Sequence, residues 1–367
     1  MIKSLRLKNF KSFENLDLPE VSNITLIGGR NNVGKSSLLE AIFLFYDIGN
    51  PSMFLRHLTW RGFELTTLDA DTIIAPIFHD FHMELPLTIA VSDDIYHSKM
   101  KVAFNPTYTQ KSISIELPES GTVFPQVQMD FASMVSYALD ISYQTDGRSE
   151  LKTRLVVSQS PTNVNIQFEP NLTQGFPDLM RKVVVYLGLR MKVDPGEDAV
   201  RFGKLDIERR TDKVIEFLKV LEPSLVGLSA VPGVQKSMIY ADIGTNRKIP
   251  IAYLGDGVSR LLSIILAIAT AKNGVVLIDE IDAGIHHSMM EKVWEGICSS
   301  AREFNCQIIA TTHSYEALQT VYDGVLKANM SHDFHYIRLD RHDKDIVAKS
   351  YTHKVLGAAL ERGWEVR

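Results

Sequence analysis

Two cysteines are all the chain has, and Cys298 and Cys306 stand in apolar-rich segments without CxxC spacing. That leaves no material for a disulfide framework or a structural zinc module, and it suits a reducing, cytoplasmic setting. Long hydrophobic runs are also missing. The longest, Leu261 to Ala271, is broken by Ser263 and is too short to cross a bilayer, so no membrane partner is expected. The first residues, Met1-Ile2-Lys3-Ser4-Leu5-Arg6, lack the apolar stretch of a signal peptide. Neither sign of charge dominates: 39 Lys and Arg stand against 44 Asp and Glu, a net charge of −5. Nothing global advertises nucleic acid, although a local basic face would still leave room for it. There is no internal repeat and no low-complexity segment. What remains is ordinary globular material, 45% apolar and 23% charged, in 367 residues, enough for two or three subdomains.

One stretch organises the rest. Gly29-Arg30-Asn31-Asn32-Val33-Gly34-Lys35-Ser36 is G-x-x-x-x-G-K-S, the phosphate-binding loop (P-loop). The apolar run Ile24 to Ile27 before it reads as a buried strand. Ser37 to Phe45 after it reads as a helix without a breaker. Strand, glycine loop, helix is the context the motif needs. The glycines let successive backbone N–H groups point inward at phosphate, and the helix start adds its positive dipole end. Nucleotide contact is therefore expected from Gly29, Asn31, Asn32, Val33, Gly34, Lys35, Ser36 and Ser37. Lys35 would reach the β- and γ-phosphates of ATP, and the Ser36 hydroxyl would ligate Mg²⁺.

Around the loop, Ile2 to Phe10 and Phe13 to Leu18 read as strands. From about Leu87 to Phe168 the apolar period is two, as in Met100-Val102-Phe104, Ile113-Ile115-Leu117, Tyr137-Leu139-Ile141-Tyr143 and Val164-Ile166-Phe168. That is an antiparallel sheet with one wet face, continuing the N-terminal strands. His57, His79 and His82 are scattered without a patterned acidic partner and read as ordinary imidazoles. Residues 176–225 read as helix, dense in Lys and Arg but with carboxylates interspersed, which is a solvated face before it is a nucleic-acid surface.

The second half of a site lies far downstream. Gly274 to Ile278 is apolar on both faces, hence buried in a parallel sheet, and ends in Asp279-Glu280. Carboxylates there sit where α/β sheets place ligands. Asp279 would hold the hydration shell of Mg²⁺, and Glu280 would orient and polarise the attacking water. Cys306 to Thr312 is the next strand and ends in His313, placed to sense the γ-phosphate. Tyr253 to Arg260 is a glycine-containing loop opening the helix Leu261 to Lys272, a further anion site at Gly255, Asp256 and Gly257. Later come a helix at Tyr315 to Tyr322, strands at Phe334 to Leu339 and Asp345 to Lys349, and a short helix at Leu356 to Leu360.

This order of motifs resembles the ABC-type ATPase heads and, within them, the RecF/SMC-like and OLD-type group. The phrase Leu7 to Phe13, the Asn31-Asn32-Val33 filling of the P-loop and the run Asp279 to His286 are similar to stand-alone members of that group. The resemblance implies an α/β fold: an antiparallel β-lobe, a parallel P-loop sheet and a helical subdomain. We place the divisions at 1–170, 171–235 and 236–367. It further implies that Gly255 to Ser259 is the signature contacting the γ-phosphate on a second protomer, with Asp282 to His286 crossing that interface. Two departures stand out. The signature serine has no equivalent, and Asp256 would repel a γ-phosphate. No glutamine among Gln110, Gln126 and Gln128 is marked as the Mg²⁺-lining one. After His313 no room is expected for the nuclease domain of OLD-type proteins, and no heptad run suggests SMC-like arms. The expected function is Mg²⁺-dependent ATP binding and hydrolysis by a homodimer that acts on an effector protein, in DNA maintenance or anti-phage defence. The other reading is a nucleotide-gated scaffold with little turnover.

Overall fold

A computed structural model describes residues 1–54, 56, 70–106, 135–160, 163–169, 182–188, 195–233, 236–343 and 345–366. The strand expected at Ile113 to Leu117, together with His57, Gln110, Gln126 and Gln128, lies outside them.

The N-terminal lobe is a seven-stranded antiparallel sheet in the order β2-β1-β4-β5-β6-β7-β8. Its strands are β1 (Ile2–Phe10), β2 (Phe13–Leu18), β4 (Leu87–Asp93), β5 (His97–Asn105), β6 (Val135–Thr145), β7 (Leu151–Ser160) and β8 (Asn163–Phe168). The second sheet has six strands in the order β16-β15-β3-β14-β13-β9. Here β3 (Ile24–Gly28), β9 (Val184–Leu187), β13 (Val275–Ile278), β14 (Gln307–Thr311) and β15 (Phe334–His342) run parallel, and β16 (Asp345–Thr352) closes the edge antiparallel.

Helix α1 (Lys35–Tyr46) is buried along nearly its whole length because it lies between the two sheets. Successive residues of the parallel strands feed two different cores. Val275, Leu277 and Ile309 join α1 and the β-lobe. Val276, Ile278, Ile308 and Ala310 join the helices on the far face. This is why β13 is apolar at every position and β14 from Ile308 to Ala310. The far layer contains α4 (Asp256–Thr270), α5 (His287–Glu303) and α6 (Tyr315–Lys327). Gln307 binds the layers together: its amide group pairs with the Ile2 backbone N–H and C=O, both at 2.8 Å.

The stretch expected as continuous helix is not so. Val184–Leu187 forms β9, the edge strand beside β13, followed by α2 (Pro195–Ile207) and α3 (Thr211–Leu218). A β-branched run at 183–185 favours the pleated sheet, and the tertiary edge beside β13 supplies its partner. Carboxylates answer the cations of this region: Arg201 with Asp198 at 3.2 Å, and Lys213 with Glu303 at 2.5 Å. A small sheet, β10 (Gly227–Val231), β11 (Met238–Asp242) and β12 (Ile249–Pro250), precedes α4. The last helix, α7, spans His353–Glu361. Cys298 and Cys306 are free thiols, and burial pushes both up to about 12. Among the described residues, no helix is long and apolar enough to cross a membrane.

Candidate active site

Three neighbouring parallel strands deliver the candidate residues. β3 runs into the P-loop, β14 into Thr312 and His313, and β13 into Asp279 and Glu280. Since β14 lies between β3 and β13, residues some 250 positions apart in sequence end on one rim of the sheet.

The P-loop needs its glycines for conformation and for space. Gly29 and Gly34 have φ of 132° and 84°, in the region L side chains avoid. A side chain on Gly29 would strike the Leu339 carbonyl of β15, which runs on past the end of β3. One on Gly34 would come within 2.7 Å of the Phe13 ring. Asn32, at φ 62°, uses the tolerance of asparagine for the left-handed region, and its carbonyl accepts from Arg341 at 2.8 Å. The phrase Leu7 to Phe13 thus has a local task. Its hairpin turn lays Phe13 under Gly34, pairs Lys11 with Glu40 of α1 at 2.5 Å and puts Ser12 Oγ 3.5 Å from Ser37 Oγ.

Helix α1 starts on Gly34 without a side-chain cap and without an acidic residue in its first turn, leaving its first amides open to an anion. Lys35 curls back over the loop, where Nζ donates to the Gly29 and Arg30 carbonyls at 2.9 Å each. Burial pulls its pKa below the ordinary lysine value, opposed by Glu280, Asp279 and Asp282.

Asp279 is only 7% exposed. Its Oδ1 accepts from the Thr311 hydroxyl at 2.7 Å, and Thr311 Oγ1 accepts from the Glu280 amide at 2.8 Å. The chain turns left-handed at Glu280, φ 48°. Such a conformation costs about 1–3 kcal/mol in a residue other than glycine and is held only where surrounding contacts fix it. The turn brings Glu280 Oε2 to 3.7 Å from His313 Nδ1, so the structure joins two candidates that the sequence left 33 positions apart. Thr311 was missed by sequence reasoning. Its signal is a hydroxyl closing the otherwise apolar run Ile308-Ile309-Ala310. Arg260, expected with Gly255 to Ser259 to face the nucleotide of a partner chain, instead donates to the Asp279 carbonyl of its own chain at 2.7 Å.

Gly255 and Asp256 are exposed, with Gly255 at φ 97°. A Cβ on Gly257 would meet the Gly284 carbonyl at 2.6 Å. The two loops that the resemblance assigns to an inter-protomer contact therefore lie against each other on the surface of one chain. His79 and His82 have local partners: the Lys11 carbonyl at 2.9 Å and the Glu84 carboxylate at 2.7 Å.

Chemically, the rim offers open amides and an ammonium for phosphates, hard oxygen donors for a small cation, and a carboxylate beside an imidazole for water. Ser36 Oγ and the buried Asp279 carboxylate are the donor types Mg²⁺ takes together with phosphate oxygens and water, and Asp279 has one carboxylate oxygen beyond the one Thr311 binds.

The chain is similar to several known proteins. Residues 1–178 match the family "AAA ATPase domain", and residues 143–319 match "AAA domain, putative AbiEii toxin, Type IV TA system". An "ATP/GTP phosphatase" of Helicobacter pylori is 22% identical over 96% of this chain and 95% of that protein. An "OLD nuclease" of Thermus scotoductus is 24% identical over 98% of this chain and 66% of that protein. The SMC head bound to the C-winged helix domain of ScpA superposes with a TM-score of 0.49 at 16% identity, covering 98% of this chain and 99% of that one. Between them, the two ATPase family matches cover residues 1–319, which include the P-loop, Asp279, Glu280 and His313.

Proposed function

We propose that this chain binds ATP with Mg²⁺ and hydrolyses it in a site shared between two copies. The observation that carries the reading is the meeting of Lys35, Asp279, Glu280 and His313 at the ends of β3, β13 and β14. Lys35 leaves the Gly29 and Arg30 carbonyls for the β- and γ-phosphates, while the open amides of the P-loop and α1 hold the phosphate oxygens. Ser36 and Asp279 would hold the Mg²⁺, which would supply charge neutralisation to the transferred phosphoryl group. Thr311 fixes Asp279 and, through the Glu280 amide, the turn that aims Glu280 at the attacking water. Glu280 orients that water and draws on its proton. His313, beside Glu280, contacts the γ-phosphate and registers its loss.

The second copy supplies Gly255 to Gly257 and Asp282 to His286. In support, these segments are adjacent, and Gly255, Asp256, Gly284 and His286 are exposed, so one surface can present both to a neighbouring P-loop. Closing and opening of the dimer is the output, passed to an effector protein docked on the helical region or the β-lobe. The resemblance to OLD-type proteins supports DNA maintenance or anti-phage defence as the setting. Asp256, exposed at the start of α4, favours a second reading, a nucleotide-gated scaffold with little turnover, because its carboxylate repels a γ-phosphate.

Sizing of Glu280→Gln with and without Mg²⁺-ATP tests the assembly. The variant should shift to a larger species with nucleotide, and adding Gly257→Glu should abolish the shift. Normal association and hydrolysis by Gly257→Glu would place the whole reaction within one chain. Absence of turnover in a parent protein that still closes on ATP would establish the scaffold.

A further inference from the structure

We propose that Arg260 is a positioning residue that ties the Gly255–Ser259 loop to the carboxylates at the end of β13. The proposal rests on the ATPase reading and adds the link between the two halves of the site.

Arg260 opens the second turn of α4, whose first turn is Asp256 to Ser259, so most of the stretch expected as a loop is helical. Its guanidinium turns away from solvent and donates to the Asp279 carbonyl at 2.7 Å and the Gly188 carbonyl at 3.3 Å. Those carbonyls lie where β13 and β9 end, one residue beyond the last paired positions, Ile278 and Leu187. The ladder has run out there, and the arginine supplies the donors that a next strand residue would have given.

Elsewhere α4 buries Val258, Leu261, Leu262, Ile264 and Ile265, so an apolar residue at position 260 would suit the packing. Instead a guanidinium is buried to 8% exposure, with no carboxylate at ion-pair distance among the described residues and with Nε buried and unpartnered. Burying a cation on backbone carbonyls alone is costly, and packing does not explain it. Burial pulls the Arg260 pKa below the ordinary arginine value, opposed by Asp279, Tyr186, Glu280 and Asp282. The carboxylates among them are those of the candidate site and of the loop beside the signature. The arginine thus grips the backbone of the metal-binding aspartate and lends its charge to the cluster.

The grip has a fixed far end. Gly257, in the preceding turn of α4, packs on the Gly284 carbonyl. One turn further along, Ser263 donates to the buried Asp198 of α2 at 2.6 Å, which sets the rotation of α4. Any displacement of the Gly255–Gly257 turn by a neighbouring nucleotide therefore moves a rigid helical turn whose arginine holds Asp279. Because Glu280 follows Asp279 in a strained left-handed turn, a shift of under an ångström re-aims the carboxylate on the water.

The test compares Arg260→Gln and Arg260→Lys with the parent full-length chain by steady-state ATP hydrolysis, melting temperature and hydrogen exchange of the ATP-free protein. Arg260→Gln should lower kcat about 10–100-fold, the usual loss for an outer partner of a metal ligand. KM should stay within about threefold, because the P-loop contacts are untouched. Arg260→Lys keeps the charge and one donor reach and should recover part of kcat. Exchange of the amides at 279–283 should accelerate in Arg260→Gln, while that of the β-lobe stays at the parent rate. Unchanged kcat in Arg260→Gln would overturn the proposal. So would a Lys variant as impaired as the Gln variant, with KM and melting temperature moving alongside, since that describes a plain structural role. If the parent shows no hydrolysis, the ATPase reading fails by itself. The exchange experiment, which needs no nucleotide, still decides the tie, and parent-like exchange at 279–283 in Arg260→Gln refutes it.

Discussion

In the parallel sheet, β3, β13 and β14 are four or five residues long and buried at every position. In the β-lobe, β1 and β2 alternate buried and exposed residues, and β6 and β7 run to 11 and 10 residues. The same apolar residue types build both, but the parallel strands face protein on each side and have no position to spare for chemistry. They export it to their C-terminal ends, where chain direction alone gathers the P-loop, Asp279-Glu280 and His313. The lobe has a solvent face free for polar residues, and its antiparallel strands bring no such set of ends together. Substitutions at the rim should therefore damage turnover, and those in the lobe should damage stability or nothing.

The largest effect that would break this contrast concerns Glu280. Glu280→Gln should keep ATP binding, as read by a fluorescent nucleotide, and lose turnover by about 10²–10⁴-fold, the range for removing a general base. Equal turnover in variant and parent would remove Glu280 from its role. Lys35→Ala, by contrast, should fail at the binding step, since it takes away the charge facing the phosphates.

Next is the core of the lobe. Ile89 in β4 is fully buried. Ile89→Ala should cost about 2–5 kcal/mol in denaturant unfolding. Nucleotide affinity in the folded protein should not change, because the side chain reaches the site only through α1. A parallel loss of affinity under native conditions would show that lobe and rim are not separable.

A smaller, mixed effect is expected where the two regions touch. Gly34→Ala adds a Cβ at φ 84° against the Phe13 ring. It should destabilise the protein by about 1–3 kcal/mol, and it should weaken nucleotide binding as well. Smallest of all is Lys99→Ala on the exposed face of β5. It should stay within about 0.5 kcal/mol of the parent in stability and leave turnover unchanged.

Legibility follows the same division. The P-loop could be read from sequence because its conformation depends on local chemistry: glycines where φ is positive, a lysine and a serine at the helix start. The strand at Val275 to Ile278 could be read because burial on both faces leaves an unbroken apolar run. The segment around Val184 could not, since a four-residue β-branched run becomes a strand only when β13 offers it an edge, and the flanking charged residues carried the helical pattern across it. Nor could the contacts of Thr311 and Arg260, single polar residues whose partners are remote in the chain.

What the sequence by itself determined is the set of locally encoded devices: a phosphate loop, two buried strands ending in polar residues, an alternating lobe, and thiols too few and too apolar in context for a disulfide or zinc framework. Tertiary structure decided which of these meet. It placed β14 between β3 and β13, laid the Phe10–Phe13 turn under Gly34, twisted Glu280 toward His313, and turned Arg260 onto Asp279. Each of those contacts links residues far apart in the chain, and the free energy that fixes them comes from burying β-sheet and helix faces together, which no local pattern records.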